Sequence, residues 1–267
     1  MERCLLSQPE AVAILRTGDE PGSSLAPRPL LSIIIPVYNE RATAARLIDL
    51  VLAVELQGVD REVVIVESNS TDGTREAMAR YVGRAGVTVI WENRPRGKGH
   101  AVRTGLRSSK GDIILIQDAD LEYSVDDYEN VLQPILNRDT AFVLGSRHTG
   151  NNKIRSFEAQ PLLAWLLNIG HLCFAGLINL LCATNLRDPF TMYKVFRREC
   201  LTGIDLRRNG FDFDIELVIK LIRRGYVPVE VPVAYCSRSF ADGKKIRVLR
   251  DPWTWVWAAI TSRFERL

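Results

Sequence analysis

Apolar residues along this chain gather in short, nearly continuous runs: Leu31–Ile35, Glu62–Val66, Val87–Ile90, Asp112–Ile116 and Ala141–Leu144. Runs of this length without alternation predict strands covered on both faces, as in a parallel sheet. Between them lie stretches with helical spacing: Arg41–Val54, Thr74–Val82, Gly99–Ser109 and Asp126–Leu136. Strand and helix alternate, which predicts an α/β chain with crossovers and a doubly wound, mostly parallel sheet. Ligands of such sheets sit beyond the carboxyl ends of the strands. Every chemically suggestive cluster before residue 150 falls at such an end.

After residue 150 the texture changes. Pro161–Cys182 is strongly apolar, with Ala164, Asn168, His171, Ala175 and Asn179 forming one narrow small-or-polar stripe at helical spacing. The stretch is near the ~20 residues that span a bilayer. Its stripe favours an in-plane interfacial helix over a span, with packing against another helix as the competing reading. Phe213–Arg224 reads as an amphipathic helix, and Pro252–Phe264 puts Trp253, Val256, Trp257, Ile260 and Phe264 on one helical face. Residues 1–29, rich in Pro, Gly and Ser, are expected to form a loosely ordered extension. Residues 30–250 form the main domain and 251–267 a C-terminal amphipathic helix.

Composition adds limits. The 267 residues carry 35 basic and 32 acidic side chains, a net charge of +3, too small to argue for a nucleic-acid partner. The five cysteines (4, 173, 182, 200 and 236) are scattered without a C-x-x-C pair, which supports neither a disulfide framework nor a zinc cluster. A reduced, cytoplasmic setting follows, and no secretory signal is read in residues 1–31.

The chemistry concentrates at the strand ends. Gln117-Asp118-Ala119-Asp120-Leu121-Glu122 follows the run Ile113–Ile116. On an extended chain, carboxylates at alternate positions project to one side, and hard divalent ions such as Mg²⁺ or Mn²⁺ take such oxygen ligands. A solvated acidic turn fits the spacing equally well; the buried strand before it favours function. Pro36-Val37-Tyr38-Asn39-Glu40 ends the first strand: Tyr38 could stack on a base, and Asn39 and Glu40 could bond a ribose or cap the next helix. Glu67 stands at the tip of the second strand, where a carboxylate can read a base edge, and Thr71-Asp72-Gly73 forms the turn after it. Gly97-Lys98-Gly99 before a helix suggests an anion site, though the spacing is not that of a P-loop. His100, His148 and His171 are unlinked and read as structural. The basic segment Arg238–Arg247 contains Arg238, Lys244, Lys245 and Arg247; it is either a solvated loop or one that closes over phosphates.

Taken in order, Pro36–Glu40, Ser70–Thr74, Gly97–Gly99, Gln117–Glu122, Gly145-Ser146-Arg147, Asp188-Pro189, Phe213-Asp214-Ile215-Glu216-Leu217, Glu230-Val231-Pro232 and Arg238–Lys245 resemble family 2 glycosyltransferases. The branch that they resemble most is that of dolichyl- or polyprenyl-phosphate mannose and glucose synthases. The resemblance covers about residues 30–250. It implies a GT-A, Rossmann-like fold and a metal-dependent, inverting transfer of a hexose from a nucleotide-diphosphate sugar to a polyprenyl or dolichyl phosphate at a membrane surface. Asp118, Asp120 and Glu122 would then be the metal ligands. Pro36, Tyr38, Glu40, Glu67, Lys98 and Asp118 would bind the donor, and Arg147, Arg238 and Lys244 the acceptor phosphate. Asp120, Asp188 and Glu216 stand as catalytic candidates. The wording around Asp118–Tyr123 is closer to the glucose branch, which favours a uridine over a guanosine donor. The chain departs from the family at Glu67-Ser68, where two adjacent aspartates are usual, and lacks the branch's Ser-Gly pair within Asp188–Tyr193.

Transfer to a hydroxyl of a polysaccharide or small natural product is the alternative. It needs a general base, for which Asp214 or Glu216 are the candidates. A sugar-nucleotide binding module without turnover is disfavoured by the carboxylates. A nucleotidyltransferase is disfavoured because no glycine-rich loop follows the first strand.

Overall fold

The computed structural model describes residues 28–148, 161–237 and 251–267. The runs that the sequence predicts as strands are strands: β1 (Leu30–Val37), β2 (Asp60–Glu67), β3 (Val87–Trp91), β4 (Ile113–Ile116) and β5 (Phe142–Ser146). Helices α1 (Ala44–Ala53), α2 (Thr74–Met78), α3 (Lys98–Ser108) and α4 (Tyr128–Leu136) separate them. Then follow α5 (Pro161–Cys182), β6 (Lys194–Arg197), α6 (Phe213–Arg223), β7 (Val229–Pro232) and α7 (Asp251–Phe264). One seven-stranded sheet has the order β3-β2-β1-β4-β6-β5-β7. Every pairing is parallel except the two made by β6, which runs antiparallel between β4 and β5.

The period-two geometry of the strands sorts their side chains onto two faces. Ile33 and Ile35 of β1, Ile65, Leu115 and Val195 join Leu47, Ile48 and Val51 of α1 and Val131, Leu132 and Ile135 of α4 in one core. Ile34, Ile114, Ile116, Leu144 and Phe196 face the other way, onto Val102 of α3 and Phe213, Leu217 and Leu221 of α6. The fold is therefore the α/β, doubly wound, mostly parallel GT-A architecture expected. Both β1 faces are buried, which explains a run whose one polar member, Ser32, is itself buried and donates to Glu62.

Helices α6, α5 and α7 pack together through a smaller core of Ile178, Ile215, Ile219, Ala258 and Ala259. The C-terminal helix, read from the sequence as amphipathic, packs against α5 and α6 through this core. The orientation of α5 corrects the reasoning from its stripe. His171, Ala175 and Asn179 face inward: His171 is buried, and Asn179 bonds both the N–H and the C=O of Leu186 at 2.8 Å. Polar groups buried beside backbone satisfy its hydrogen bonds, whereas apolar groups there would leave them unmet. The outward face of α5 is apolar instead, with Leu180 80% exposed. On α7, Trp253 and Trp257 are 76% and 62% exposed and Phe264 72%. No helix among the described residues is long and apolar enough to cross a membrane.

Candidate active site

The carboxyl ends of β1, β2 and β4 converge, and the loops leaving them are stitched together. Asn39, in left-handed backbone (φ 48°), accepts from the Thr71 N–H, and its own N–H donates to Ser70 Oγ. The Glu40 N–H donates to Thr74 Oγ1, and Glu40 Oε2 accepts from the Thr43 hydroxyl at 3.0 Å. Of the residues expected to meet a donor here, Pro36 stays in the strand opposite Val66, and Tyr38 is exposed just beyond it. Asn39 and Glu40 shape the loop, but neither side chain caps α1, which has no side-chain cap hydrogen bond, so the capping reading does not hold as stated.

Glu67 corrects the expectation of a base reader. It is fully buried, its two oxygens accept from the N–H groups of Asn69 (3.1 Å) and Ser70 (2.6 Å), and Arg75 pairs with it at 2.5 Å. A fully buried carboxylate that already serves two N–H groups of its own loop and Arg75 is not open to a ligand. Asn69 takes left-handed backbone (φ 57°) to bring these N–H groups round.

The glycines beside Lys98 likewise serve packing. A side chain at Gly97 would collide with the Asn209 carbonyl, and one at Gly99 with the Arg208 carbonyl and Phe213. The Asn209 carbonyl accepts from the His100 N–H and so sits over the start of α3. What this segment delivers to the site is the Lys98 ammonium. Its Nζ lies 2.8 Å from Asp118 Oδ1 and 3.4 Å from Asp214 Oδ2, against Met192 Sδ. Behind it the fully buried Lys194, on β6, holds Asp214 Oδ1 at 3.1 Å. Burial pulls the Lys98 ammonium down, but Asp118 and Asp214 outweigh it and raise it above its ordinary value. For Lys194 burial prevails and lowers it. Burial pushes Asp214 up; the two lysines bring it below the usual carboxylate range.

The acidic loop does not extend as the alternation assumed. The chain turns over Ala119–Glu122, with Leu121 at φ 59°, and the three carboxylates separate. Asp118 meets Lys98, Asp120 Oδ1 accepts from the Glu122 N–H at 3.1 Å, and Glu122 Oε2 accepts from the Tyr235 hydroxyl at 2.9 Å. Among the described residues no three His, Cys, Asp or Glu side chains cluster to hold an ion. Asp118 and Asp120 remain a pair of hard oxygen donors on one turn, which fits a divalent ion that draws its other ligands from phosphate oxygens. Glu122, drawn to Tyr235, is not grouped with them.

Arg147 and Asp188 form a buried fork. The Arg147 Nε and Nη2 donate to Asp188 Oδ2 (2.7 Å) and Oδ1 (2.6 Å), and the Arg147 backbone N–H donates to Oδ2. Burial pushes the Asp188 carboxyl up, yet the Arg147 charge and hydrogen bonds hold it far below the ordinary range. The geometry runs against the catalytic expectation for Asp188, whose carboxylate is engaged by Arg147. The guanidinium stacks 5.2 Å over the Tyr235 ring, and Tyr235 reaches Glu122, which ties Arg147 to the acidic loop. Among the described residues no hydrogen bond uses Arg147 Nη1.

Glu216 is corrected too. It is fully buried at the start of α6, accepts from the N–H groups of Arg207 and Arg208 at 2.8–3.0 Å, and pairs with Lys220 at 2.8 Å. Arg238, Lys244, Lys245 and Arg247 lie outside the described residues. Sequence reasoning missed Lys194, Tyr123 and Tyr235. Lys194 had a signal, a charge inside the apolar run Tyr193–Phe196. Tyr123 stacks on Tyr193 at 4.6 Å and donates no such hint. Among the described residues no cysteine takes part in a disulfide.

A sequence profile described as "Glycosyl transferase family 2" matches residues 32–203. The dolichyl-phosphate β-glucosyltransferase of Homo sapiens is 32% identical over 261 residues, 91% of this chain and 76% of that protein. The dolichol-phosphate mannosyltransferase of Pyrococcus furiosus is 29% identical over 214 residues, 80% of this chain but 58% of the relative's length. Among solved structures, glucosyl-3-phosphoglycerate synthase from Mycobacterium tuberculosis, in complex with Mn²⁺, UDP and glucosyl-3-phosphoglycerate, superposes with a TM-score of 0.59. It is 22% identical, with 88% of this chain and 80% of that one covered. At that identity the likeness speaks for the fold.

Proposed function

The chain belongs to glycosyl transferase family 2, and from that premise we propose that it moves a hexose from a nucleotide-diphosphate sugar to a polyprenyl or dolichyl phosphate, with inversion at the sugar carbon. The observation that carries this reading is the state of the carboxylates. Asp188 is bound by Arg147, Asp214 by two lysines and Glu216 by backbone N–H groups and Lys220. A hydroxyl acceptor needs a base within reach of its proton, and each of these three is buried and already committed to a cationic partner. A phosphate acceptor is already anionic and needs cations instead.

The residues divide the work accordingly. Tyr38 lies where a base ring can stack. Lys98 meets the diphosphate with a charge already aimed from the start of α3. Arg147, held rigid by Asp188, offers an acceptor phosphate its remaining guanidinium edge, a planar donor suited to phosphate oxygens. Arg238 and Lys244 are assigned to the same phosphate. An acceptor oxygen forms the new bond to the sugar carbon as the bond from that carbon to the diphosphate breaks. The electron pair leaves with the nucleoside diphosphate, and no proton has to move. Asp118 and Asp120 would hold a Mg²⁺ or Mn²⁺ ion, which supplies charge neutralisation to the leaving diphosphate.

The donor is taken as a uridine diphosphate sugar. The human relative's glucosyl activity and the UDP held by the solved neighbours support that choice. The exposed Trp253, Trp257 and Phe264 of α7 support peripheral binding at a membrane surface, since indole rings favour the interface. The cytoplasmic side is proposed for it. A panel of nucleotide sugars assayed with a short polyprenyl phosphate and Mn²⁺ or Mg²⁺ tests the reading. Transfer to the lipid phosphate from a uridine donor is expected. Transfer only to neutral hydroxyls, lost in Asp214→Asn, would reverse it.

A further inference from the structure

We propose that Lys98 is the resident counter-charge of Asp118 which a divalent ion must displace, so that the ion enters together with a nucleoside diphosphate and not before it. The inference rests on the reading of Asp118 and Asp120 as ion ligands. Three observations carry it. First, the Lys98 ammonium sits 2.8 Å from Asp118 Oδ1 in a nearly buried setting, and Asp120 adds to its field. An ammonium and a divalent ion on one carboxylate oxygen repel strongly where water is scarce. Second, the loop provides no three-carboxylate cage to outbid the lysine, because Glu122 is drawn to Tyr235 and the backbone turns at Leu121. The remaining ligands have to arrive with the substrate.

Third, the lysine has a second seat. Asp214 Oδ2 stands 3.4 Å from Nζ, and Asp214 is fixed from behind by Lys194, whose whole length is buried in the sheet. When Lys98 gives up Asp118, Asp214 keeps its charge compensated, and the ammonium turns toward the incoming diphosphate. Asp214 and Lys194 are thus positioning residues for Lys98. This gives them a use, where a buried ion pair is by itself weak evidence of stabilisation.

The test reads binding, not turnover. Mn²⁺ is titrated into the full chain by calorimetry and by the loss of the free-ion electron paramagnetic resonance signal, with and without UDP. In the wild type Mn²⁺ alone should bind weakly, and saturating UDP should tighten it by about tenfold or more. Lys98→Met should tighten Mn²⁺ binding to the UDP-free protein by about tenfold while weakening UDP without metal by a similar factor. A residue of purely structural importance would weaken both. Lys98→Gln, which keeps a polar end beside Asp118, is the second variant should Lys98→Met fail to fold. Wild-type protein that binds Mn²⁺ equally well with and without UDP overturns the inference, as do folded Lys98 variants with no gain in Mn²⁺ affinity. Wild-type protein that takes up no Mn²⁺ even with UDP overturns the donor reading itself and this inference with it, a result recognisably different from the other two.

Discussion

Asp188→Asn is the substitution that separates a catalytic carboxylate from one that holds an arginine. The change keeps the volume and removes the charge. It leaves the Arg147 guanidinium buried with only neutral partners where Asp188 had accepted from its Nε, Nη2 and backbone N–H. Removing one partner of a buried, hydrogen-bonded ion pair costs about 3–5 kcal/mol. For a chain of this size each kcal/mol is worth about 2–4 °C, so the melting temperature should fall by roughly 6–20 °C. The loss has a pH signature. The folded Asp188 carboxyl lies below its unfolded value near ~3.9, so its stabilisation is present above that value and disappears as pH falls through the folded one. In Asp188→Asn the acid limb of the stability curve below about pH 4 should flatten accordingly. Calorimetric melting and urea titration across pH measure both effects. The double variant Asp188→Leu/Arg147→Met, which removes both charges, should recover most of the loss, since apolar replacements of buried pairs are often neutral or better. Wild-type melting of Asp188→Asn, with turnover lost, would refute the reasoning and return Asp188 to the chemistry.

Asp120→Asn should abolish transfer while leaving the melting temperature unchanged, because the side chain sits on a turn beyond β4; full activity in that variant or in excess chelator contradicts the ion-ligand reading. Glu216→Gln should lose about 1–3 kcal/mol of stability by weakening its bonds to the Arg207 and Arg208 N–H groups and Lys220, with kcat of the folded enzyme unaltered; a selective drop in kcat, read beside a chemical melt, argues for a base there. Trp253→Ser/Trp257→Ser should reduce flotation with anionic liposomes without lowering the melting temperature, and unchanged flotation removes α7 from the membrane contact.

The first five strands and four helices were legible because their signals are local: buried strands read as apolar runs, and crossovers follow from their order. β6 was not, since it is four residues long and carries Lys194 at full burial. A lysine in a strand becomes tolerable only when Asp214, twenty positions on, closes on it, and no local pattern contains that pairing. The stripe on α5 was seen correctly, but periodicity says only that a face differs, not whether it turns inward. Glu67 and Glu216 illustrate the same limit from the chemical side. Each is an acid at an element's end, and sequence cannot tell whether its oxygens wait for a ligand or for N–H groups two or three residues away in the chain or across a loop. Asp118 and Lys98 were picked out separately, and the contact between them belongs to the fold.

The antiparallel insertion of β6 also orders the birth of the molecule. β1 to β4 are joined by short crossovers, so their pairings can form as soon as residues 30–116 have emerged during synthesis. β5 then has no neighbour in place: its two partners, β6 and β7, begin about fifty and ninety residues later. Until they arrive, β4 presents a bare apolar edge, the kind of surface on which chains stick to one another. The sheet is completed only when Lys194–Arg197, a short reversed strand, docks between β4 and β5, which follow one another in the chain but are not paired in the sheet.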